Sequence, residues 1–460
     1  MTESARDLAR KLLAGSSSGN PAASPLTQHV RPVAQSRSRR GPGRQFADHP
    51  DVVAAVQKRA MIASLYEQTR LVNPLFLPRT GPNDTVIHVA DPRMADVDVV
   101  NFSAYNYLGL ANHPRVVAGA KSALDQFGAS ASASRIVAGE IPLYQELERR
   151  LADIYGVGDA MVTTSGYLTN AGVIGFLLRQ GDVAICDTLI HGSVISGTQW
   201  SGARRISFRH NDPESLQSVL RTSRTGFDRA LVVLEGHYSM DGAVGRIDEL
   251  AAIAREYDCA VMVDEAHSFA VFGDKGHGMR EYYGLPGDAV DIWMATLSKA
   301  LGSTGGFVAA DADLIGAMKS SAPGVAMLTG APAPAAIGAA LAALDVLEEE
   351  PERLTRLWAN ARLFHGALSE RGLNLGVSQG TPIVPVVVPG EIRAGYVSSR
   401  LLENGVYAGL ISSPAVPAGQ ERLRFFVTSE HTEEQLSTTV DLLTETIGQA
   451  EKIPDITADG

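Results

Sequence analysis

Seven short apolar runs alternate with amphipathic segments between residues 155 and 310. Segments such as 213–223 and 247–257 have helical spacing, and the apolar runs cover 160–164, 183–186, 205–208, 230–235, 260–265, 291–296 and 306–310. Continuous apolar strands between amphipathic helices are typical of a parallel sheet covered on both faces. The pattern therefore predicts an α/β fold whose large domain has a seven-stranded, mostly parallel sheet.

The pattern changes after one long helix, which is predicted over 333–368. Shorter strand-like and helix-like segments follow at 382–389, 396–405, 422–429 and 432–447. These segments indicate a smaller α+β domain at the C-terminus. The predicted division is an extension at 1–45, an N-terminal arm at 46–105, a large domain at 106–345, a small domain at 346–450 and a tail at 451–460.

The extension is rich in Ser, Pro, Gly and Arg and almost free of large apolar residues from position 14 onwards. Such a composition cannot bury enough surface to offset the entropy of ordering, so disorder is predicted. A basic cluster lies within it, formed by Arg37, Arg39, Arg40 and Arg44. Two interpretations stay open, a solvated tail and a docking patch for an acidic partner.

Composition narrows the class of protein. The 460 residues are 45% hydrophobic and 20% charged, as in ordinary globular proteins, and the net charge of −11 argues against a nucleic-acid partner. Cys186 and Cys259 lie in apolar runs, which favours buried thiols in a reducing compartment over a metal site. No apolar stretch is long enough for a membrane span, and the first residues lack a secretory core. A cytoplasmic protein is expected.

Polar side chains repeatedly follow the predicted strands. Since ligands of open α/β sheets bind beyond the carboxyl ends of the strands, these residues are expected to converge on one crevice. They are Ser165, Gly166, Tyr167, Asp187, His191, Ser239, Asp264, His267, Thr296, Ser298 and Lys299.

The sequence lacks the motifs that several other classes of enzyme need. Asp264-Glu265-Ala266-His267 spells the acidic box of ATP-driven helicases, but no G-x-x-x-x-G-K-[ST] phosphate loop precedes it. The G-x-S-x-G match at 15–19 lies in low-complexity sequence without a strand before it or a helix after it. A zinc H-E-x-x-H motif, a dinucleotide fingerprint and Cys/His ligand spacings are also missing.

A pyridoxal phosphate site fits the rim better. Such a site needs a lysine for a Schiff base, a carboxylate for the ring nitrogen and an anion site for the phosphate. Lys299 is flanked by small residues, Asp264 ends a buried strand, and the turn at Gly166 and Tyr167 opens a helix. His191 and His267 lie on the same rim, where one can stack on the cofactor ring and the other can bind its phenolic oxygen.

The stretch from Asn101 to the end resembles the α-oxoamine synthases, which are fold-type I pyridoxal phosphate enzymes. The matching motifs are NFSAYNYLGL, GASASASRIVAGE, TSGYLTNAG, DTLIHGSVISG, FRHND, VVLEGHYSMDG, VDEAHSFAVFG, TLSKALGSTGGFVA and RLRFFVTSEHT, in family order. EGHYSMDG and FRHND are most similar to serine palmitoyltransferases and to the synthases of polyketide assembly lines.

The resemblance implies a homodimer that condenses an amino acid with an acyl thioester and releases CO2 and an α-aminoketone. It assigns Lys299 to the Schiff base and the Cα proton, Asp264 to the ring nitrogen and His191 to the ring face. It implies that His267 and Ser239 contact the phenolic oxygen or the incoming carbonyl. The phosphate would be bound by Gly166, Tyr167, Thr296 and the second subunit's Thr329. The substrate carboxylate would be bound by Asn106 and Arg424.

Two departures and several alternatives stay open. Ala270 stands where the family commonly has glycine, and the region around Thr329 departs from the family pattern. Arg422 remains an alternative to Arg424. Another fold-type I enzyme, such as an aminotransferase, aldolase or decarboxylase, and a catalytically silent binding subunit are the rival functions. The acyl thioester is carried either by coenzyme A or by an acyl carrier protein. The basic extension would attract the carrier protein.

Overall fold

The computed structural model describes residues 48–94, 97–412 and 415–453. The predicted disordered extension 1–45, with its arginine cluster, lies outside the described residues, and so do residues 454–460 of the tail.

The strands and helices follow one another in an α/β order. The strands are β1 (Val86–Ile87), β2 (Val99–Asn101), β3 (Asp159–Thr163), β4 (Val183–Asp187), β5 (Arg204–Phe208), β6 (Ala230–Glu235), β7 (Ala260–Asp264), β8 (Ile292–Thr296), β9 (Gly306–Ala310), β10 (Ile383–Val387), β11 (Val406–Tyr407), β12 (Gly409–Ile411) and β13 (Arg422–Phe426). The helices are α1 (Pro50–Thr69), α2 (Pro114–Phe127), α3 (Pro142–Tyr155), α4 (Gly166–Leu177), α5 (Gly192–Ser201), α6 (Pro213–Ser223), α7 (Ile247–Glu256), α8 (Met279–Tyr282), α9 (Ala312–Ser321), α10 (Pro334–Glu349), α11 (Glu352–Glu370), α12 (Glu391–Glu403) and α13 (Glu433–Ala450).

The central sheet contains all seven predicted strands in the order β3-β9-β8-β7-β6-β4-β5. Only β9 runs antiparallel to its neighbours, so the predicted mostly parallel sheet is confirmed. Every residue of β6 is buried, as expected for a strand covered by helices on both faces. The carboxyl ends of the parallel strands thus open onto one rim.

A second apolar core surrounds the antiparallel sheet β10-β13-β12 and the helices α11, α12 and α13. Phe102 packs into this core on Phe364 and Phe425. The short strand β2 pairs parallel with β11, far along the chain. The segment before residue 106 is therefore tied to the C-terminal part, while the domain boundaries themselves stay a prediction.

The prediction of a single helix over 333–368 is wrong, because the structure has two helices there. α10 ends before Glu350, which has φ −120° and ψ 57°, and α11 begins after Pro351. Proline has no backbone N–H to donate, and its ring collides with the preceding helical turn. The break lets α10 pack on α2 and α11 pack on the second core.

Ala270 adopts the left-handed conformation, with φ 59°, in the loop after β7. Its side chain is fully buried, and its N–H donates to the Gly276 carbonyl over 2.7 Å. The loop therefore keeps a backbone shape that normally favours glycine, at a cost to the alanine of about 1–2 kcal/mol.

Across the three described stretches, no helix is both long enough and apolar enough to cross a membrane.

Candidate active site

A cavity of about 290 Å³ lies at the carboxyl ends of β3, β6, β7 and β8. The predicted rim residues that line it are Ser165, Gly166, Tyr167, His191, Ser239, Asp264, His267, Thr296, Ser298 and Lys299. Ten of the eleven rim residues thus meet in one cavity, as the rim argument predicts. Asp187 does not line it, because its carboxylate instead accepts hydrogen bonds from the Asn211 N–H and the Tyr238 hydroxyl.

Asp264, at the end of β7, is held by two donors. The Asn170 side-chain amide donates to Asp264 Oδ2 over 2.7 Å, and the Ala266 N–H donates to Oδ1 over 2.9 Å. Asn170 lies one helical turn after Gly166, so α4 presents both to the cavity. The carboxylate of Asp264 is therefore fixed in orientation, as a group that must meet one ring atom needs to be.

Lys299 follows β8 and ends in the same cavity. Within the described part of the chain its amine has no hydrogen bond or ion pair, and it lies 5.8 Å from the centre of the Tyr105 ring. Burial lowers the pKa of Lys299 to about 8, against the opposing charges of Asp264 and Glu235. A depressed amine pKa makes the neutral, nucleophilic form accessible near neutral pH.

The first turn of α4 forms an anion site. Ser165 caps the helix by accepting from the Leu168 N–H over 3.2 Å. The N–H groups of Gly166 and Tyr167 have no partner among the described residues, and such free groups favour an anion. A Cβ on Gly166 would lie 3.0 Å from the Cβ of Thr296, so only glycine leaves this cradle open.

Thr296 and Ser298 close the other side of that cradle. The Thr296 hydroxyl donates to the Gly305 carbonyl over 2.8 Å, and the two hydroxyl oxygens lie 2.7 Å apart. The Tyr167 hydroxyl is 2.6 Å from Ser196 Oγ, and the Tyr167 side chain lies half-exposed beside the cavity.

His191 caps α5 and is connected to Asp264 through two polar side chains. Its Nδ1 accepts from the Ser193 N–H over 3.3 Å and lies 2.7 Å from Ser193 Oγ, which in turn accepts from Asn170. Burial lowers the pKa of His191. The ring is therefore neutral, and its proton is on Nε2.

His267 is buried against aromatic rings. Its Nδ1 lies 2.8 Å from the Tyr107 hydroxyl, and Phe426 stacks on the ring at 6.1 Å. Burial lowers the pKa of His267 well below its usual value, and the positive charge of Lys299 lowers it further. The ring is thus a neutral hydrogen-bonding group at the cavity.

Glu235 also lines the cavity, although the sequence did not single it out. It pairs in register with Asp264 on the neighbouring strand, and its Oε1 is buried without a partner in the described part of the chain. Burial raises the pKa of Glu235 well above its usual value, and the charge of Asp264 raises it further. The carboxyl group is therefore expected to carry a proton.

Arg424 and Arg422 project from the same face of β13 near the cavity but do not line it. Arg424 Nη1 donates to the Ser239 carbonyl over 2.6 Å, and its guanidinium lies 4.8 Å above the Phe426 ring. Its charge lowers the pKa of Lys299. Arg422 instead donates to the Met240 carbonyl over 3.3 Å. Arg424 is therefore the arginine coupled to the reactive amine.

Besides Arg424, two predicted site residues, Asn106 and Thr329, lie outside the cavity lining. Asn106 Oδ1 accepts from the Ala111 N–H over 3.1 Å, so this oxygen shapes the local loop. Thr329 follows the π-helical turn Pro323–Met327, next to the exposed Leu328. Neither position tests the role that the resemblance implies.

The residues missed from the sequence have weak local signals. Asn170 could have been found by its helical spacing from Gly166, and Glu235 by its place at the end of β6. Ser193 and His237 look like ordinary loop residues, and only the fold shows that they line the cavity.

The donor set fits pyridoxal phosphate. The cavity offers an unpaired amine, a carboxylate held by two donors, a neutral imidazole and a helix N-terminus with free N–H groups. Lys299, Asp264, His191 and the first turn of α4 can therefore hold the cofactor's carbonyl carbon, ring nitrogen, ring face and phosphate.

Comparisons with known proteins identify the family of the chain. Residues 97–443 match the family model of aminotransferase class I and II. The 8-amino-7-oxononanoate synthase of Treponema denticola is 40% identical over 344 residues, covering 75% of this chain and 86% of the relative. That of Bacillus subtilis is 37% identical over 366 residues, covering 80% and 90%.

Solved structures with a similar fold include serine palmitoyltransferases. A serine palmitoyltransferase with pyridoxal phosphate as an internal aldimine has a TM-score of 0.80 at 30% identity, covering 89% of this chain and all of that one. The serine palmitoyltransferase of Sphingomonas wittichii has a TM-score of 0.81 at 27% identity, covering 90% and 100%.

These likenesses cover the central sheet, the cavity at its rim and the second core. The fold is that of the fold-type I pyridoxal phosphate transferases, as predicted. The chain belongs to the aminotransferase class I and II family and, within it, to the α-oxoamine synthases, acyltransferases that use pyridoxal phosphate to condense an amino acid with an acyl thioester and release CO2.

Proposed function

We propose that the cavity at the rim of the central sheet carries out this condensation, with Lys299 as its reactive base. The observation that carries the proposal is the pairing of an amine, whose pKa is lowered to about 8, with the doubly held carboxylate of Asp264 in one cavity. Such a pair fits proton transfer at a carbon atom next to a cofactor.

Asp264, His191 and the first turn of α4 hold the cofactor. The negative charge of Asp264 keeps the ring nitrogen protonated, and the neutral ring of His191 packs on the cofactor face. The free N–H groups of Gly166 and Tyr167 bind the phosphate, and the Thr296 hydroxyl joins them when its proton turns from the Gly305 carbonyl to the phosphate. Bound pyridoxal phosphate supplies an electron sink for the negative charge that forms on the amino acid's Cα.

Lys299 moves the proton. Its neutral amine removes the Cα proton of the amino acid, and its ammonium form returns a proton to the same carbon after CO2 has left. Between these steps the Cα forms a bond to the thioester carbonyl carbon and the thiolate leaves. The charge of Asp264 lies close enough to stabilise the ammonium form electrostatically.

Arg424 binds the amino-acid carboxylate, and Asn106 supports it. A guanidinium offers two parallel N–H donors to a carboxylate, and Arg424 Nε is buried without a partner among the described residues. In the tautomer whose Nδ1 accepts from the Tyr107 hydroxyl, neutral His267 carries its proton on Nε2. It can then donate, together with Ser239, to the cofactor's phenolic oxygen or to the incoming carbonyl.

A homodimer completes the site. Exposed apolar side chains form a patch beside Thr329, with Val137 79% exposed and Leu328 74% exposed. The Ala331 N–H donates to the Ala133 carbonyl, which joins the two turns that carry this patch. A second copy covering the patch would bring Thr329 to the partner's phosphate site. Val137→Asp should then give monomers by light scattering and weaken cofactor binding.

The acyl donor is proposed to arrive on a carrier protein. The support is the arginine cluster at residues 37–44, which lies outside the described residues, and the acidic character of carrier proteins. Deleting residues 1–45 should weaken turnover of a carrier-bound acyl group and leave a small thioester unaffected. Equal effects on both donors would contradict this. A cytoplasmic location is proposed with it, since both cysteines are free and buried.

The test of function is a matrix of amino acids against acyl thioesters, scored by mass spectrometry for an α-aminoketone and by CO2 release. The names of the relatives support aliphatic acyl donors, since one transfers a palmitoyl group to serine and the other forms an 8-amino-7-oxo acid. Amino transfer to a keto acid, or release of an amine without a new carbon–carbon bond, would point to another fold-type I enzyme.

A further inference from the structure

His210, in the turn after β5, lies between two carboxylates that the proposed mechanism does not use. Its Nδ1 lies 3.0 Å from Asp187 Oδ1, and its Nε2 forms a 3.1 Å ion pair with Asp241 Oδ2 that is not an aligned hydrogen bond. The edge of the ring faces Tyr238 at 4.4 Å. The imidazole is thus in contact with negative charge on both sides.

These contacts keep His210 positively charged. Its pKa is raised to about 10 because Asp187 and Asp241 outweigh the effect of burial. The groups that face it are Asp187 from β4, Asp241 and Tyr238 from the loop after β6, and, beyond Asp241, Arg422 from β13. The charge is therefore present throughout the neutral range and is lost only as the pH rises through about 10.

Asp187 accepts hydrogen bonds from three donors besides His210. It accepts from the Leu189 and Asn211 N–H groups, each over 2.7 Å, and from the Tyr238 hydroxyl over 2.9 Å. The carboxylate therefore remains satisfied if His210 is neutral, whereas Asp241 has fewer other donors.

Asp241 belongs to the loop 236–245, which connects β6 to α7. Its Oδ1 accepts from the Ala243 N–H over 3.1 Å, and the loop closes through the Gly242 N–H to the Tyr238 carbonyl over 3.0 Å. Fixing Asp241 therefore fixes the tip of this loop, which contains Ser239 and Met240.

The tip of the loop in turn holds the substrate arginine. Ser239 O accepts from Arg424 Nη1 over 2.6 Å, and Met240 Sδ lies 3.4 Å from the same nitrogen. Met240 O accepts from Arg422. A continuous chain of contacts therefore runs from His210 through Asp241 and the loop to Arg424.

We propose that His210 is a positioning residue whose positive charge, held between Asp187 and Asp241, fixes the loop 236–245 so that Arg424 is aligned for the amino-acid carboxylate. The inference rests on the carboxylate role proposed for Arg424. It assigns a function to the FRHND motif, which the cofactor site does not use.

The test compares His210→Gln with Arg209→Gln as a matched control. Arg209 is adjacent and makes an exposed pair with Asp212, so its loss removes a charge without touching the loop. His210→Gln should raise the amino-acid KM roughly tenfold, the size of one misplaced charged hydrogen bond, and change the thioester KM less than about twofold. Arg209→Gln should change neither. An unchanged amino-acid KM in His210→Gln overturns the inference.

Two further measurements separate this inference from the proposed function. Arg424→Lys, assayed beside His210→Gln, shows whether the carboxylate anchor itself is correct. In the wild-type protein without cofactor, NMR of the imidazole nitrogens should show His210 doubly protonated at pH 8. A titration near pH 6.5 overturns the inference even if every His210 variant fails to fold.

Discussion

Replacing Asn170 with alanine removes the amide that donates to Asp264 Oδ2 over 2.7 Å and to Ser193 Oγ over 2.9 Å. The residue is buried on α4, and its loss leaves the Ala266 N–H as the remaining donor to the Asp264 side chain in the described part of the chain. The variant keeps the charge of Asp264 but frees its orientation.

The expected effect follows from the kind of hydrogen bond that is lost. A hydrogen bond to a charged acceptor contributes about 1.5–3 kcal/mol. If the whole of this free energy orients the carboxylate towards the ring nitrogen, its loss lowers turnover by roughly 10- to 150-fold, at about 1.4 kcal/mol per factor of ten. Cofactor affinity should fall less, because the phosphate site and Lys299 are untouched.

The assay measures kcat and the cofactor Kd of Asn170→Ala against Asn360→Ala. Asn360 likewise donates through one amide to two acceptors, the Thr428 and His431 carbonyls, over 3.0 and 2.8 Å, but it does not line the cavity. Both variants should lose similar stability in urea, and only Asn170→Ala should lose turnover. Equal kcat values in the two variants would refute an orienting role for Asn170.

Three other substitutions or conditions probe the same cavity. Asp264→Asn keeps its shape but loses its charge, so turnover should fall by orders of magnitude while cofactor remains bound; an active variant contradicts the ring-nitrogen role. Arg424→Lys should raise the amino-acid KM strongly and the thioester KM little, whereas the same pattern in Arg422→Lys would show that Arg422 is the anchor. Since burial lowers the pKa of Lys299 to about 8, its amine is protonated below that pH and neutral above it. The rate at which the protein without cofactor captures pyridoxal phosphate, followed by absorbance, should rise up to about pH 8 and then level off, and a rise that continues beyond pH 10 would contradict the lowered pKa.

The fold was largely predictable because most strands of the central sheet are short runs of mainly apolar residues. β6 and β9 are buried along their whole length, so their composition alone marks them as central strands. The strand order was not predictable, since the pairing of β3 with β9 joins segments almost 150 residues apart and leaves no local pattern. The break at Pro351 had a local signal that the helical periodicity on both sides concealed.

The placement of Lys299 and Asp264 in one cavity was predictable, because the proposed chemistry needs these residue types at the ends of neighbouring strands. The residues that hold those groups were not, because their roles come from tertiary contacts. Asn170 reaches Asp264 across 94 positions of sequence, and Glu235 meets it only through the register of two strands. His210 likewise acquires its charge from two carboxylates that other elements bring to it.

Peptide mapping after borohydride reduction tests the central claim most directly. The purified protein, loaded with pyridoxal phosphate and reduced, should carry a single pyridoxyl group on the peptide that contains Lys299, and Lys299→Ala should carry none there. A pyridoxyl group fixed on any other lysine of the wild-type protein would contradict the assignment of this cavity as the active site.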